Sequence, residues 1–543
     1  MLYTLLSLTV SQCPEQDSDV TINNDDADFR DCLTIRSVTV SNLVTRISDN
    51  AFSKSSITSI TLSKTVTSIG DFAFYDCRSL KKVTLGSSVK TIGGFAFAST
   101  ALTEVIIPKS VETIGEKAFF LLESLKKVTL GSSVKTIGGF AFASTALTEV
   151  IIPDSVETIG DSAFYECRSL KKVTLGSSVK TIDVSAFAST ALTEVIIPDS
   201  VETIGHIAFY ECRSLKKVTL GSSVKTIGES AFFNTSLTEV IIPDSVETIG
   251  WKAFYECGSL EKVTLGSSVK TIGGFAFAST ALTEVIIPKS VETIDWNAFY
   301  ECGSLEKVTL GSSVKTIADY AFYNTSLKDA IIPKSVESVA LHSFSAKKLI
   351  FQSLIELYLE ETEIIIYNVP DGSKSMELPK VHCKNLKFIE ILSLGGDCTI
   401  GSNYVYASPD DDLHIKIYIE KDVKSIDDEA FSDVNIDIFA YFGTNELEGN
   451  FLANAKSIRG VIASTNYQGD SIGGVKLTKK VPSYNIEEDN TNYELAKSAG
   501  LSGGAIAGIV IGVIVVIAII AVVCFFIIRS KKKKSEDTAG NDV

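Results

Sequence analysis

Groups able to carry out acid–base, nucleophilic or metal chemistry are scarce in this 543-residue chain. It has four histidines, whose spacing is not that of metal ligands. The sequence H-E-x-x-H, the phosphate-binding P-loop and C-x-x-C do not occur. The acidic run from Asp410 to Asp412 is more typical of a solvated turn than of a Ca²⁺ site. We therefore expect no catalysis, no metal and no cofactor. The histidines are His206, His342, His382 and His414.

Cysteine is the remaining reactive side chain, with ten copies. Cys13 with Cys32, and Cys383 with Cys398, lie outside the repeats described below. Each pair closes a short loop, which predicts two disulfides that cover the ends of a repetitive core. Removal of Cys13 with a signal peptide would prevent the first. Cys524, beside a lysine cluster, is a palmitoylation candidate.

The elements that must position these residues come from an internal repeat. The string V-[KE]-T-I recurs from Val89 to Val314 at alternating spacings of 23 and 22 residues, and Ala-Phe follows seven residues after each Val. The apolar positions of one unit, 156–178, fit no single helix or strand period. They fit a coil that turns once per unit and stacks on its neighbours. We predict a rod of fourteen repeats, with a parallel sheet on its inner face from L-x-x-V-x-L strands such as 170–175. Segments such as 160–164 would form short helical or 3₁₀ turns on the outer face.

The repeat also explains most of the cysteines. Four of them recur every 45 residues, which places them two turns or ~9.6 Å apart in a stack, beyond the ~7 Å Cα separation that a disulfide tolerates. The same position in the intervening repeats is Thr, so we expect a Cys/Thr column that caps the turn and fills the core. The cysteines are Cys167, Cys212, Cys257 and Cys302.

The unit resembles a known family. The pattern I-G-x-x-A-F-x-x-C-x-x-L, present at 159–170, is similar to the BspA-like leucine-rich repeat, strongly over 44–344 and weakly over 345–440. The resemblance implies a leucine-rich repeat solenoid, a curved right-handed coil, in a surface protein of a bacterium or parasitic protist. It also implies adhesion to host cells, extracellular matrix or other microbes.

A membrane anchor is predicted near the C-terminus. Residues 505–528 contain no charge and no proline, and 24 helical residues span the ~30 Å hydrocarbon layer. Arg529 and Lys531 to Lys534 follow, which places that end in the cytoplasm and makes the chain a single-pass type I plasma membrane protein. The outer end of this helix has glycines at every fourth position, which favours helix dimerisation, although small residues are also common there. These glycines are Gly500, Gly504, Gly508 and Gly512.

The predicted organisation has seven parts. They are a possible signal peptide at 1–11, an N-terminal cap at 12–43, repeats at 44–344, degenerate repeats or a C-terminal cap at 345–463, an extracellular stalk at 464–503, the membrane helix at 505–528 and a basic tail at 529–543. Within 44–344 there are 28 Lys plus Arg and 31 Asp plus Glu, so no nucleic-acid partner is expected.

The outward positions of the predicted inner sheet are the candidate binding residues. They alternate between Lys-Lys-x-Thr and Thr-Glu-x-Ile in successive repeats, a pattern suited to weak multivalent contact with an extended protein. The candidates are Lys171, Lys172, Thr174, Thr193, Glu194, Ile196, Lys216, Lys217, Thr219, Thr238, Glu239 and Ile241. A second column, one residue after each Val, alternates Lys and Glu. We expect its charges to neutralise one another.

Two further expectations concern modification and function. Asn234 and Asn324 begin N-glycosylation sequons. For function, the primary hypothesis is that the chain is not an enzyme and mediates adhesion by binding extracellular or cell-surface proteins. The alternatives are a receptor that signals by dimerisation or through a partner, and a structural or antigenic coat protein.

Overall fold

The computed structural model describes residues 13–482 except 341, 353–354, 356, 360–361, 370–376, 379, 384, 395–397, 407–412 and 433. All regular elements within these residues are β-strands, and almost all pair in parallel with the strand one turn earlier or later. The predicted parallel β-solenoid of leucine-rich repeat type is therefore confirmed.

One sheet of fourteen strands runs the length of the repeats. Each strand is the dipeptide that begins two residues after the Val of its repeat. Its second residue is buried, and the second residues of successive strands are register partners, as Ile159 and Ile182 are. The sequence analysis did not predict this sheet, which we call the Thr-Ile sheet. Its strands are Arg46–Ile47, Ser68–Ile69, Thr91–Ile92, Thr113–Ile114, Thr136–Ile137, Thr158–Ile159, Thr181–Ile182, Thr203–Ile204, Thr226–Ile227, Thr248–Ile249, Thr271–Ile272, Thr293–Ile294, Thr316–Ile317 and Ser338–Val339.

The predicted L-x-x-V-x-L strands form a second series. Each is three residues long in the regular repeats, and they join in sheets of two or four strands instead of one unbroken sheet. Three strands at the N-terminal end open the series, namely Ser18–Ile22, Ile35–Val40 and Ser59–Thr61. The regular ones are Lys82–Thr84, Glu104–Ile106, Lys127–Thr129, Glu149–Ile151, Lys172–Thr174, Glu194–Ile196, Lys217–Thr219, Glu239–Ile241, Lys262–Thr264, Glu284–Ile286 and Lys307–Thr309.

The third side of each turn is not helical, which corrects the expectation of helical or 3₁₀ turns. Ser162 and Glu166 have φ near +55°, outside the helical region. The amides of Ser162 and Phe164 bond to carbonyl oxygens of the next turn, at 2.8 Å each, whereas that of Tyr165 bonds locally to Ser162. Because alternate amides point along the stack, the segment cannot close successive helical hydrogen bonds.

A column of phenylalanines forms the centre of the core. From Phe29 to Phe344, one ring per turn stacks on the next with centroids 5.0–5.5 Å apart. These rings are buried, and each covers apolar surface of both neighbours. The repeats therefore share one continuous core.

The solenoid continues beyond the regular repeats as a nine-stranded parallel sheet flanked by two three-stranded sheets. The nine strands are Asp329–Ile332, Lys348–Phe351, Ile364–Val369, Phe388–Leu394, His414–Ile419, Asn435–Tyr441, Ser457–Ile458, Val461–Ser464 and Lys479–Val481. The three-stranded sheets are Leu357–Leu359 with Val381–Cys383 and Val405–Tyr406, and Glu377–Leu378 with Thr399–Ile400 and Ser425–Ile426.

The folded region extends past residue 463, where the sequence analysis placed the start of a stalk. Val461–Ser464 pairs with Lys479–Val481, and Ser471–Ile472 forms an antiparallel hairpin with Val475–Lys476. Gly473 and Gly474 adopt positive φ at the hairpin turn, a role for glycine that composition alone does not distinguish from linker sequence. Residues 464–482 thus belong to the C-terminal cap.

The predicted signal peptide and membrane segments lie outside the described residues. These are 1–11, the helix at 505–528 with Gly500, Gly504, Gly508, Gly512 and Cys524, and the tail at 529–543. The described part of the chain contains no helix long and apolar enough to cross a bilayer.

Candidate protein-interaction face

The three-residue strands each present two side chains outward and one inward. In Lys172–Thr174 the first and last residues are exposed and Val173 is buried, and Glu194–Ile196 repeats the pattern around Val195. All twelve candidate residues from the sequence are exposed. The structure brings them together on one surface, which we call the KVT/EVI face and define as the exposed residues of the strands from Lys82–Thr84 to Lys307–Thr309 and of the residue before each strand.

The apolar feature of the KVT/EVI face is a column of isoleucines at every second turn. Ile196 is 68% exposed and Ile241 is 66% exposed, although isoleucine is usually among the most buried residues. Ile196 is the register partner of Thr219, so threonine occupies the same column in the turns between. The column members are Ile106, Ile151, Ile196, Ile241 and Ile286.

Charges of both signs flank this column without pairing along it. Glu194 is the register partner of Lys217, and Glu239 of Lys262, but neither pair forms an ion pair in the described structure. The carboxylates and ammonium groups of these two pairs are therefore solvated, whereas Glu306, at the C-terminal end of the face, lies 3.1 Å from Lys328 Nζ.

The second charged column behaves differently, because its members form ion pairs with one another. The Lys Nζ of one turn lies 2.8–3.2 Å from the Glu Oε2 of the preceding turn in five successive cases. The hydrogen bond from Lys225 lowers the pKa of Glu202 and in turn raises that of Lys225. The expectation that these charges neutralise one another is confirmed. The lysines are Lys135, Lys180, Lys225, Lys270 and Lys315.

The Cys/Thr column is structural. Cys167 Sγ donates to the carbonyl oxygen of Phe142 at 3.1 Å and lies 3.1 Å from Thr145 Oγ1. Burial raises the pKa of the Cys167 thiol to about 11, which disfavours the nucleophilic thiolate. The same contacts and the same pKa recur at Cys212, Cys257 and Cys302.

The structure describes one of the two predicted disulfides but not the other. Cys13 and Cys32 are bonded, with Cα atoms 5.5 Å apart, and this bond joins the N-terminal end of the described chain to the first turns. Cys398 is buried, and the side chain of Cys383 lies outside the described structure. The second disulfide stays a prediction.

The two sequons occupy equivalent turns with different surroundings. Asn324 is exposed, whereas Asn234 is half-buried. Thr235, the hydroxyl residue of the first sequon, is buried with its Oγ1 3.1 Å from Cys257 Sγ. Of the two, Asn324 therefore offers the more accessible amide.

The described residues contain no group of three or more His, Cys, Asp and Glu side chains arranged to hold a metal ion. His206 lies 3.6 Å from Glu229, and His414 lies 3.0 Å from Asp437. Asp437 also pairs with Arg459 at 3.0 Å.

Sequence reasoning missed a ridge of partly exposed aromatic rings on the non-helical turns. Trp251 and Trp296 are 37% and 45% exposed, and Lys252 Nζ lies 4.2 Å from the Trp251 ring centroid and 5.4 Å from that of Phe275. Because the ammonium group of Lys252 already makes cation–π contacts with these rings, its charge is stabilised within the chain. The signal was the pair of residues before each Ala-Phe, which varies between repeats.

Comparison with protein families gives a consistent match. The model of the BspA type leucine rich repeat region matches residues 21–145, 135–250 and 225–350. A Trichomonas vaginalis protein assigned as a BspA-like surface protein is 35% identical over 134 residues, which is 23% of this chain and 20% of that protein. The alignment thus spans about a fifth of the length of that relative.

Comparison with solved structures supports the fold through one of them. A leucine-rich repeat protein from Bacteroides ovatus is 29% identical, with a TM-score of 0.51, and the match covers 63% of this chain and 82% of that one. A leucine-rich repeat protein from Eubacterium ventriosum is 28% identical, with a TM-score of 0.37, over 57% of this chain and 82% of that one.

Proposed function

The chain belongs to the BspA-type leucine-rich repeat family, and from that premise we propose that it is a non-enzymatic protein-binding scaffold at a cell surface. The assignment of the Trichomonas relative as a surface protein supports this location. The absence of a metal-ligand cluster from the described residues and the buried, protonated thiols agree with a binding role.

The observation that carries the proposal is the isoleucine column on the KVT/EVI face. Ile196 and Ile241 each expose about two thirds of their surface, and withdrawing such apolar surface from water favours association. Unpaired charges beside them would orient a ligand. Because the same patch recurs every second turn, an extended ligand could contact several copies at once. Contacts that are weak individually would then give strong binding together.

We propose extracellular or cell-surface proteins as the ligands, on host cells, in the extracellular matrix or on other microbes. A face that repeats the same exposed side chains along the solenoid suits an extended protein better than a small molecule, which is usually bound in an enclosing pocket. The segments 79–108 and 124–153 are identical in sequence. This supports a protein ligand, because identical patches would bind the repeated segments of a fibrous protein.

The test is binding of the full-length protein, displayed on beads, to matrix proteins and to epithelial cells. Ile196→Thr with Ile241→Thr installs the residue that the neighbouring turns carry in this column, so the fold should be kept while binding falls. Asp161→Ser, on the opposite turn, is the matched control and should bind as the unaltered chain does. Lack of saturable binding by the unaltered protein would eliminate the proposal.

A further inference from the structure

A pair of tryptophans distinguishes two turns of the solenoid from the equivalent earlier ones. Trp251 and Trp296 are 45 residues apart and are the only tryptophans of the chain. The same position is Asp161 and His206 in the corresponding earlier turns, so the repeat does not require an indole there. Both tryptophans are partly exposed, at 37% and 45%. Exposed apolar rings that the fold does not need mark a candidate contact surface.

The rings of these turns form one continuous surface on the non-helical side of the solenoid. Trp296 packs over Gly274, because a Cβ on that glycine would lie 2.8 Å from the indole Nε1 and 3.1 Å from Cε2. The Trp296 ring also meets Phe275 edge to face, with centroids 4.8 Å apart, and Phe275 contacts two tyrosine rings in turn. One side of the indole therefore rests on the chain while almost half of the residue stays exposed. We call this surface the aromatic ridge, and its members are Trp251, Tyr255, Phe275, Trp296 and Tyr300.

An acidic residue follows each tyrosine of the aromatic ridge. In the earlier turns the equivalent residues, Glu166 and Glu211, form ion pairs with arginines at 3.3 and 3.2 Å. Glycine replaces those arginines in the later turns, and neither Glu256 nor Glu301 forms an ion pair within the described part of the chain. A hydrogen bond with Glu301 raises the pKa of Tyr300, which places this carboxylate at the ridge. The turns that gain a tryptophan are thus the ones that leave a carboxylate unneutralised.

Aromatic rings beside hydrogen-bond acceptors match the two kinds of surface that a sugar presents. The C–H groups on one side of a pyranose ring carry partial positive charge, which the negative face of an indole attracts. The hydroxyl groups lie around the edge of the sugar, where carboxylates accept their hydrogen bonds. Aromatic side chains with a small number of polar groups beside them are also the usual lining of a ligand site.

We propose that the aromatic ridge binds a neutral, β-linked glycan whose chain lies along the solenoid axis. Trp251 and Trp296 are two turns apart, or ~9.6 Å at the spacing of stacked strands. This separation is close to the length of one disaccharide in an extended β-linked chain such as cellulose or chitin. Alternate sugar rings of such a chain present the same face, so both indoles would receive equivalent faces. The site is separate from the KVT/EVI face and does not depend on the ligand proposed for that face.

Charge disfavours other classes of ligand at the aromatic ridge. Glu256 and Glu301 would repel sulfated or sialylated glycans and anionic lipids. The ammonium group of Lys252 lies 4.2 Å from the ring centroid of Trp251 and 5.1 Å from that of Tyr255. A basic peptide would therefore bring a second positive charge next to one that the rings already hold. A neutral glycan meets neither kind of repulsion.

The tryptophans report on this site directly, because the chain has no others. Full-length protein in a detergent without a sugar headgroup is titrated with the β-linked hexamers of N-acetylglucosamine and of glucose, and the indole emission is followed. We expect a saturable shift of the emission to shorter wavelength, because sugar displaces water from the rings, and protection of the indoles from acrylamide quenching. No saturable change with either hexamer overturns the proposal. A response to heparin or to polylysine but to neither hexamer also overturns it.

Restoring the arginines tests the role of the carboxylates. Gly258→Arg with Gly303→Arg installs the residue that pairs with Glu166 and Glu211 in the earlier turns. The fold should tolerate both changes, since no atom lies within 4 Å of where either Cβ would be. Affinity for the hexamer that binds should fall at least about tenfold, because the arginines then occupy the carboxylates. Unchanged affinity overturns the proposal.

Replacing the tryptophans tests the role of the rings. Trp296→Val installs the residue of an earlier turn, where the amide of Val184 bonds to the preceding aspartate at 2.8 Å as that of Trp296 does, and Trp251→Asp installs that of Asp161. The double variant should bind at least about tenfold more weakly by calorimetry. Trp251→Phe with Trp296→Phe keeps a ring at each position and should retain most of the affinity. Equal binding by the ring-less variant and the parent overturns the proposal.

A control on the other face separates this inference from the proposed function. Ile196→Thr with Ile241→Thr alters the KVT/EVI face alone and should leave hexamer binding unchanged. If this variant lost the hexamer while the tryptophan variant kept it, the sugar would lie on the KVT/EVI face and the proposal would be overturned.

Discussion

The thiol of Cys167 donates a hydrogen bond of 3.1 Å to the carbonyl oxygen of Phe142, one turn earlier in the solenoid. Thr145, which occupies the equivalent position in that earlier turn, lies 3.1 Å from the same sulfur. A side chain that would be a candidate nucleophile in another setting thus links successive turns. Burial keeps the thiol protonated. Its hydrogen bond satisfies the carbonyl group of Phe142, which the strands do not reach.

The first prediction concerns alkaline stability. Burial raises the pKa of Cys212 and Cys257 in the folded chain to about 11 from 9.0. The stabilising contribution is complete below pH 9 and is lost as pH rises through 11, because the unfolded chain ionises first. Cys212→Thr with Cys257→Thr should reduce the loss of unfolding free energy between pH 8 and pH 10 by about 1 kcal/mol per thiol. Urea titrations at the two pH values measure this, and equal losses in variant and parent would contradict it.

The second prediction compares two glycines that look alike in the sequence. A Cβ on Gly221 would lie 2.2 Å from the carbonyl oxygen of Pro198 in the preceding turn, whereas one on Gly258 would meet nothing within 4 Å. Gly221→Ala should therefore lower the unfolding free energy by about 1–3 kcal/mol, and Gly258→Ala should change it by no more than about 0.5 kcal/mol. Chemical denaturation of both variants decides this. Similar effects of the two substitutions would show that the turn spacing differs from that described.

Features that recur as a residue pattern could be predicted from the sequence, whereas features without such a pattern could not. The buried Phe and Cys positions recur in every repeat or every second repeat, so the core and the outward KVT/EVI residues were predictable. The Thr-Ile sheet was not, because a two-residue strand is too short to show an alternating pattern. The positive φ of Ser162 and Glu166 was also hidden, since these residue types carry no strong signal for that conformation.

The third prediction concerns glycosylation. Asn324 is exposed and Asn234 is half-buried, and an attached glycan must leave the surface without displacing neighbouring side chains. In a eukaryotic secretory host we expect Asn324 to carry the N-glycan and Asn234 to remain largely unmodified. Mass spectrometry of peptides before and after enzymatic deglycosylation measures the occupancy, with Asn324→Gln as the control that removes the signal. Greater occupancy at Asn234 would be incompatible with its burial.

The last prediction concerns Glu390 in strand Phe388–Leu394 of the C-terminal cap. Burial raises the pKa of this carboxyl group from 4.5 to about 7, an effect that Lys348 opposes and Glu420 reinforces. Because the folded chain holds the proton more tightly, the carboxyl contributes its full stabilisation below pH 4.5 and loses it as pH rises through 7. Glu390→Gln removes this titration, so the variant should gain stability relative to the parent between pH 5 and pH 8. Since the side chain is only partly shielded from water, we expect a relative gain on the order of 2 kcal/mol.

Urea denaturation of the full-length protein in detergent at the two pH values, followed by hydrogen exchange of the strand that contains residue 390, measures this gain. Glu448→Gln is the matched control, because its carboxylate is exposed and is not among the groups that shift the pKa of Glu390. If Glu390→Gln and the parent responded identically to pH, the carboxylate would have to reach solvent in the folded cap. The packing of Phe388–Leu394 against His414–Ile419 would then be looser than the register between these strands implies.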